Sequence, residues 1–120
     1  MARAPEFQDR IEVLQGTLDL LILQTLAYEP QHGYGIMSVI RANSRNVLQV
    51  DTGSLYPALH RLEQKGWISS EWGVSDQNQR VKTYVLTRLG RRQLAAARSR
   101  WERLAEAIAG VLQPPLRSES

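Results

Sequence analysis

Residues 53–68 read GSLYPALHRLEQKGWI, and Leu55, Ala58, Leu59 and Leu62 recur in them at offsets 0, 3, 4 and 7. That is the spacing of one face of a helix, and it points those four side chains at a core. At about 100° per residue the opposite face carries Gly53, Pro57, His60, Arg61 and Gln64, with Ser54 and Tyr56 on its flanks. This outer face is polar and basic, open to a partner. A proline costs a helix nothing only where its missing N–H would have had no partner. Pro57 therefore predicts a helix start capped by Ser54 and approached irregularly through Asp51, Thr52 and Gly53. Gly66 predicts a left-handed stop after Lys65.

Strand chemistry follows. Residues 67–72 and 79–86 are rich in β-branched and aromatic side chains, with Val81, Thr83 and Val85 on one face, and the turn-forming residues 73–78 lie between them. The pair predicts a hairpin with a long tip. Arg80 and Lys82 stand at the base of that tip with no acid within three residues, where they suit a phosphate backbone. A hairpin alone is equally a small sheet capping a helical core. A helix with a polar outer face, a glycine stop and a basic ribbon in that order is what a winged helix-turn-helix uses to read DNA.

The charge is distributed to match. The chain of 120 residues has room for one domain and a net charge of only +3. Residues 1–40 hold two Lys or Arg against five acids, whereas residues 41–100 hold eleven against four. The basic excess thus lies in the part of the chain that contains the helix and hairpin, as in a protein that neutralises phosphates, although a solvated surface carries such charge too. The absence of cysteine excludes disulfides and thiolate metal ligands and leaves the redox compartment open. The N-terminus lacks a signal-peptide pattern, and the longest apolar stretch, residues 18–27, is broken by Asp19 and Gln24. The expectation is a soluble cytoplasmic protein with no membrane partner.

Upstream, Leu18, Leu21, Ile22, Thr25 and Leu26 share one helical face, and Leu20, Leu23 and Ala27 widen it into a nearly central helix. Thr17 is its expected cap and Glu29-Pro30 its end. Gln31, His32 and Gly33 then connect to a second helix through Tyr34, Ile36, Met37 and Ile40 to about Asn43. Gly33-Tyr34-Gly35 is too short for a phosphate loop, so its glycines read as a tight helix start. His32 reads as a cap or surface residue. With two histidines and no cysteine a zinc site is not expected, and no cofactor is implied.

After the hairpin, Thr87 caps a long helix that runs to about Leu112 and is stopped by Gln113, Pro114 and Pro115. Leu94, Ala97, Trp101, Leu104, Ile108 and Val111 are spaced 3, 4, 3, 4 and 3, a heptad seam of nearly three repeats. A winged helix is already covered by its own first helices, so this seam predicts a second copy of the chain, the alternative being packing on its own domain. Phe7, Ile11 and Leu14, spaced 4 and 3, could form a short N-terminal helix beside it.

The runs GTLDLLILQTL, HGYGI, GSLYPALHRLEQKGWI, SEW and YVLTRLGRRQL, in this order and over residues 14–112, resemble the PadR family of bacterial transcriptional regulators. The resemblance implies a winged helix-turn-helix with a C-terminal helix that dimerises, of the compact branch in which that helix replaces a larger domain. It also implies repression of nearby genes and, in many members, release of DNA by a small molecule. The family's wing commonly carries consecutive basic residues before an aromatic pair; this chain has Gln79, Arg80, Val81, Lys82, Thr83 and Tyr84 there. In some compact members a tryptophan of the last helix stacks on flat drugs between subunits. Trp101 occupies a corresponding seam position, where it is first of all dimer packing.

The expected fold is mainly α with a small β-hairpin. A DNA-binding domain spans residues 1–86, a dimerisation helix 87–113 and a disordered tail 114–120. Thr52, Gly53, Ser54, Tyr56, Pro57, His60, Arg61 and Gln64 would meet base edges or phosphates in the major groove, with Gln79, Arg80 and Lys82 along the adjacent backbone or minor groove. The expected partners are double-stranded DNA, a second copy of the chain, and an aromatic or drug-like effector at Trp101. The alternative is a winged-helix protein-interaction module. No nucleophile with a base, carboxylate pair or metal-spaced cluster argues for an enzyme: Asp51, Glu63 and Glu71 fall on different elements.

Overall fold

The computed structural model describes residues 11–12 and 15–113. Among them four helices form, α1 (Gln15–Tyr28), α2 (Gly33–Asn43), α3 (Thr52–Gln64) and α4 (Arg88–Leu112). Strands β2 (Gln31–His32), β4 (Ile68–Val74) and β5 (Arg80–Leu86) make an antiparallel sheet in the order β2-β5-β4. Strands β1 (Ile11–Glu12) and β3 (Leu48–Gln49) pair in parallel. This is a winged helix-turn-helix followed by one long helix.

Helix α1 is central because it is apolar on most of its circumference. Leu18, Ile22, Leu23, Thr25 and Leu26 are buried, Leu20, Leu21 and Ala27 are half-buried, and the helix touches α2, α3, α4 and β5. It ends before Pro30, as expected. It begins at Gln15, so Thr17 lies within the first turn and does not cap it. Burying Leu18 in register with Ile22 draws the residues before it into helix. A helix through Ile11 is also not formed, since Ile11 pairs with Leu48 in β1. Phe7, Leu14 and the tail 114–120 lie outside the described residues.

Gln31 and His32 do more than connect. They are the third strand of the wing sheet, opposite Tyr84 and Thr83 of β5, and two residues are too few for any periodicity to reveal. His32 also caps α2, its Nδ1 accepting from the Gly35 N–H at 3.0 Å.

Helix α3 starts earlier than its proline suggests. Asp51, not Ser54, is the cap: its carboxylate accepts from the Ser54 N–H at 2.8 Å. Pro57 therefore sits in the second turn, and the bond it cannot make falls on the exposed carbonyl of Gly53. The other end follows the glycine rule. Gly66 takes φ +77°, its N–H donates to Glu63 O, and the Trp67 N–H reaches back to Leu62 O. These two bonds close a Schellman motif.

The hairpin is longer on its first strand than expected, and its turn is tightened to residues 75–79. The Ser75 N–H donates to Gln79 O and the Asn78 N–H to Ser75 O, with Asn78 at φ 61°. Val81, Thr83 and Val85 share a face, but the buried face is the other one. Ile68 opposite Leu86, and Ser70 opposite Tyr84, bring Tyr84 and Leu86 into the core. β-Branching marks a strand without saying which of its sides is dry.

Thr87 caps α4 as expected. Its Oγ1 accepts from the Gly90 N–H at 3.0 Å and approaches the carbonyls of Gly66 and Trp67 at 2.7 and 3.0 Å, tying the last helix to the corner between α3 and the wing. Gly90 is required there, because a Cβ would collide with the Trp67 carbonyl. Among the described residues, no helix is long and apolar enough to cross a membrane.

Candidate nucleic-acid interface

Helix α3 divides as its phasing demands. Leu55, Ala58, Leu59 and Leu62 are buried. Thr52, Gly53, Ser54, Tyr56, Pro57, His60 and Gln64 are exposed, with Gly53, Pro57, His60 and Gln64 forming the outward ridge. Arg61 lies on a flank, about 70° from that ridge by helical phase. There its Nη2 donates to Asp19 Oδ1 of α1 at 2.5 Å. The sequence counts Arg61 among the outward cations; the structure turns it to the neighbouring helix, because a long side chain on a flank reaches whichever acid the packing supplies.

The wing stands on the other flank. Gln79 and Arg80 are exposed, and the Arg80 guanidinium lies over the Trp72 ring, 4.6 Å from its centroid. Lys82 differs. Sequence distance left it without an acid, but folding brings Glu63 of α3 to 3.6 Å from its Nζ, and its side chain is only 34% exposed. Glu63 also accepts a hydrogen bond from Ser70 Oγ of β4. Burial first, then the Glu63 carboxylate and Tyr56, push the Tyr84 hydroxyl above its ordinary pKa.

Between α2, α3 and the wing lies an open trench of about 680 Å³. His32, Gly33 and Tyr34 line it from β2 and α2, Tyr56 from α3, and Trp72, Arg80 and Lys82 from the wing. Tyr56 rests on Gly33, where a Cβ would stand 2.6 Å from its hydroxyl. The glycine thus makes room for the tyrosine as well as for the helix start. Arg80, aromatic rings and hydrogen-bonding groups along this trench can meet phosphate and sugar while the α3 ridge meets base edges.

Tyr34, Trp72, Glu63 and Asp19 were not among the expected site residues. Tyr34 reads as part of an apolar helical run, yet it is 69% exposed at the lip of the trench. Its position between two glycines at a helix start was the available signal. Glu63 and Asp19 carry no such signal, since each acts through a residue of another element.

The described seam of α4 splits in two. Leu94 is buried and Ala97 half-buried, whereas Trp101, Leu104, Ile108 and Val111 are exposed, Val111 by 84%. Packing on its own domain thus accounts for the start of the seam only. Trp101 and Leu104 border a second groove, of about 430 Å³, against Thr17 and Leu20 of α1.

A winged helix-turn-helix with an exposed polar helix beside a wing that carries an exposed arginine is the architecture of a DNA-binding module. Residues 22–96 match the transcriptional regulator PadR-like family, and the chain belongs to that family, whose members are DNA-binding transcriptional regulators and not enzymes. It is 35% identical over 99 residues to transcriptional regulator Rv3488 of Mycobacterium tuberculosis, covering 82% of this chain and 89% of the relative. The solved structure of a transcriptional regulator from Clostridium thermocellum superposes with a TM-score of 0.77 at 28% identity, covering 84% of this chain and 98% of the other. A PadR family regulator from Eggerthella lenta gives 0.71 at 29% identity over 84% of this chain and 86% of its own.

Proposed function

We propose that this regulator is a cytoplasmic repressor that binds a pseudo-palindromic operator as a homodimer. The observation that carries the reading is the α3 ridge beside the wing: Gly53 and Pro57 leave the backbone low, His60 and Gln64 are exposed, and Arg80 is exposed on the wing. Thr52, Ser54 and Tyr56 reach phosphates at the start of the helix, and Gln79 accompanies Arg80. Residues up to 86 form the reading module and 87–113 the helix that pairs it.

Pairing is supported by Trp101, Leu104, Ile108 and Val111, a row of apolar side chains exposed to water at heptad spacing. Two copies joined along that row would set their reading helices about 34 Å apart or a multiple of it, matching a two-fold operator. Occupying such a site excludes other proteins from it, which is repression in its simplest form. The groove beside Trp101 offers an aromatic face to a flat effector, whose binding would change the pairing geometry and with it the half-site spacing.

Selection of bound sequences from a random DNA pool tests the reading, repeated with planar aromatic compounds while tryptophan emission is followed. Enrichment of a two-fold motif is expected, together with quenching by a ligand that also releases DNA. Failure to retain any DNA at low salt would instead favour a protein-interaction module.

A further inference from the structure

The two cations of the wing are not equivalent. Arg80 is exposed and stacked on Trp72, and among the described residues no acid lies within ion-pair distance of it. Lys82, on the same face of β5, has its Nζ 3.6 Å from Glu63 Oε1, while Glu63 Oε2 accepts from Ser70 Oγ. Ser70 belongs to β4 and Lys82 to β5, so a single carboxylate of the reading helix holds both strands of the wing. The Lys82 ammonium also lies over the Tyr84 and Trp72 rings, 5.6 and 5.9 Å from their centroids.

We propose that Glu63 is a positioning residue for DNA binding: it sets the wing on the reading helix and keeps Lys82 out of the phosphate contacts, leaving the wing's charge to Arg80. The proposal rests on the DNA-binding reading above. Its physical basis is charge compensation. A cation already paired with a carboxylate neutralises no phosphate of its own, and the neutral pair adds nothing to the counterions released when DNA binds. The carboxylate thus lowers affinity by holding the ammonium back while it fixes geometry.

The test compares salt dependence of operator binding across three variants. Arg80→Ala should flatten the slope of log K against log salt by about 0.9. Glu63→Gln keeps an oxygen for Ser70 but removes the charge, so it should steepen the slope by about 0.9. That is a gain of about three- to fourfold in affinity at 50 mM over 200 mM salt. Adding Lys82→Ala to Glu63→Gln should restore the wild-type slope, tracing the gain to the released ammonium. An unaltered slope in Glu63→Gln overturns the proposal, as does a double variant whose slope falls below that of wild type by as much as that of Arg80→Ala.

Amide exchange without DNA reads the tether separately: Glu63→Ala should speed exchange along β4 and β5, and unchanged exchange rejects it. Wild-type protein that binds no DNA at low salt, with exchange still faster in Glu63→Ala, discards the DNA reading and the phosphate half of the proposal while upholding the tether.

Discussion

Arg61 of α3 and Asp19 of α1 are joined by a 2.5 Å hydrogen-bonded ion pair, with side chains 29% and 21% exposed. The pair ties the reading helix to the central helix on the flank opposite the wing. Partial exposure limits its worth to about 1 kcal/mol. Asp19→Asn should lower unfolding free energy by about that amount in denaturant titrations, and a double-mutant cycle with Arg61→Ala should return a coupling of similar size. Additive effects would show that the contact contributes nothing to stability.

The ridge predicts a different signature. His60→Ala and Gln64→Ala should each relax preference at particular base pairs by about 1 to 3 kcal/mol, measured against a panel of single-base operator variants. A loss spread evenly over all sequences would reassign them to the phosphate backbone.

The exposed part of the α4 seam predicts the oligomeric state. Leu104→Glu or Ile108→Glu should yield folded monomers that bind DNA weakly, because an unpaired charge at a buried interface costs several kcal/mol. Sedimentation at micromolar protein reads this directly, and dimers that persist in both variants would rule the seam out as the interface.

Tyr84 predicts behaviour at high pH. Burial, with Glu63 and Tyr56, raises its hydroxyl above the ordinary 10.0, so the folded chain holds that proton more tightly than the unfolded chain. The stability linked to it is complete below pH 10.0 and is lost as pH rises towards the folded value, at up to about 1.4 kcal/mol per pH unit. Denaturant unfolding between about pH 9 and 11 should show a shallower fall in Tyr84→Phe than in wild type. Equal slopes would mean that Tyr84 titrates alike in both states.

Much of this architecture is legible along the chain. Leu55, Ala58, Leu59 and Leu62 announce their helix and its buried side by period alone, and Gly66 and Thr87 announce a stop and a start by local chemistry. Where two local rules competed, the stronger partner won. Asp51 offers a better cap than the proline rule allows for, and Pro57 was absorbed into the second turn at the cost of one exposed bond. The short strand at Gln31 and His32 left no trace because its hydrogen bonds go to Tyr84 and Thr83, far along the chain.

The sequence by itself determined which segments become helix and ribbon, which side of α3 is dry, and that a heptad row runs down the last helix. These depend on spacing and backbone preference, which are properties of neighbours in the chain. Only the tertiary structure decided which cations gain an acidic partner. Arg61 and Lys82 look alike Arg80 in one dimension, yet packing carries Asp19 to the first and Glu63 to the second and leaves Arg80 resting on Trp72. Electrostatic partners act through space over a few ångströms, and the residues that meet there lie far apart along the chain.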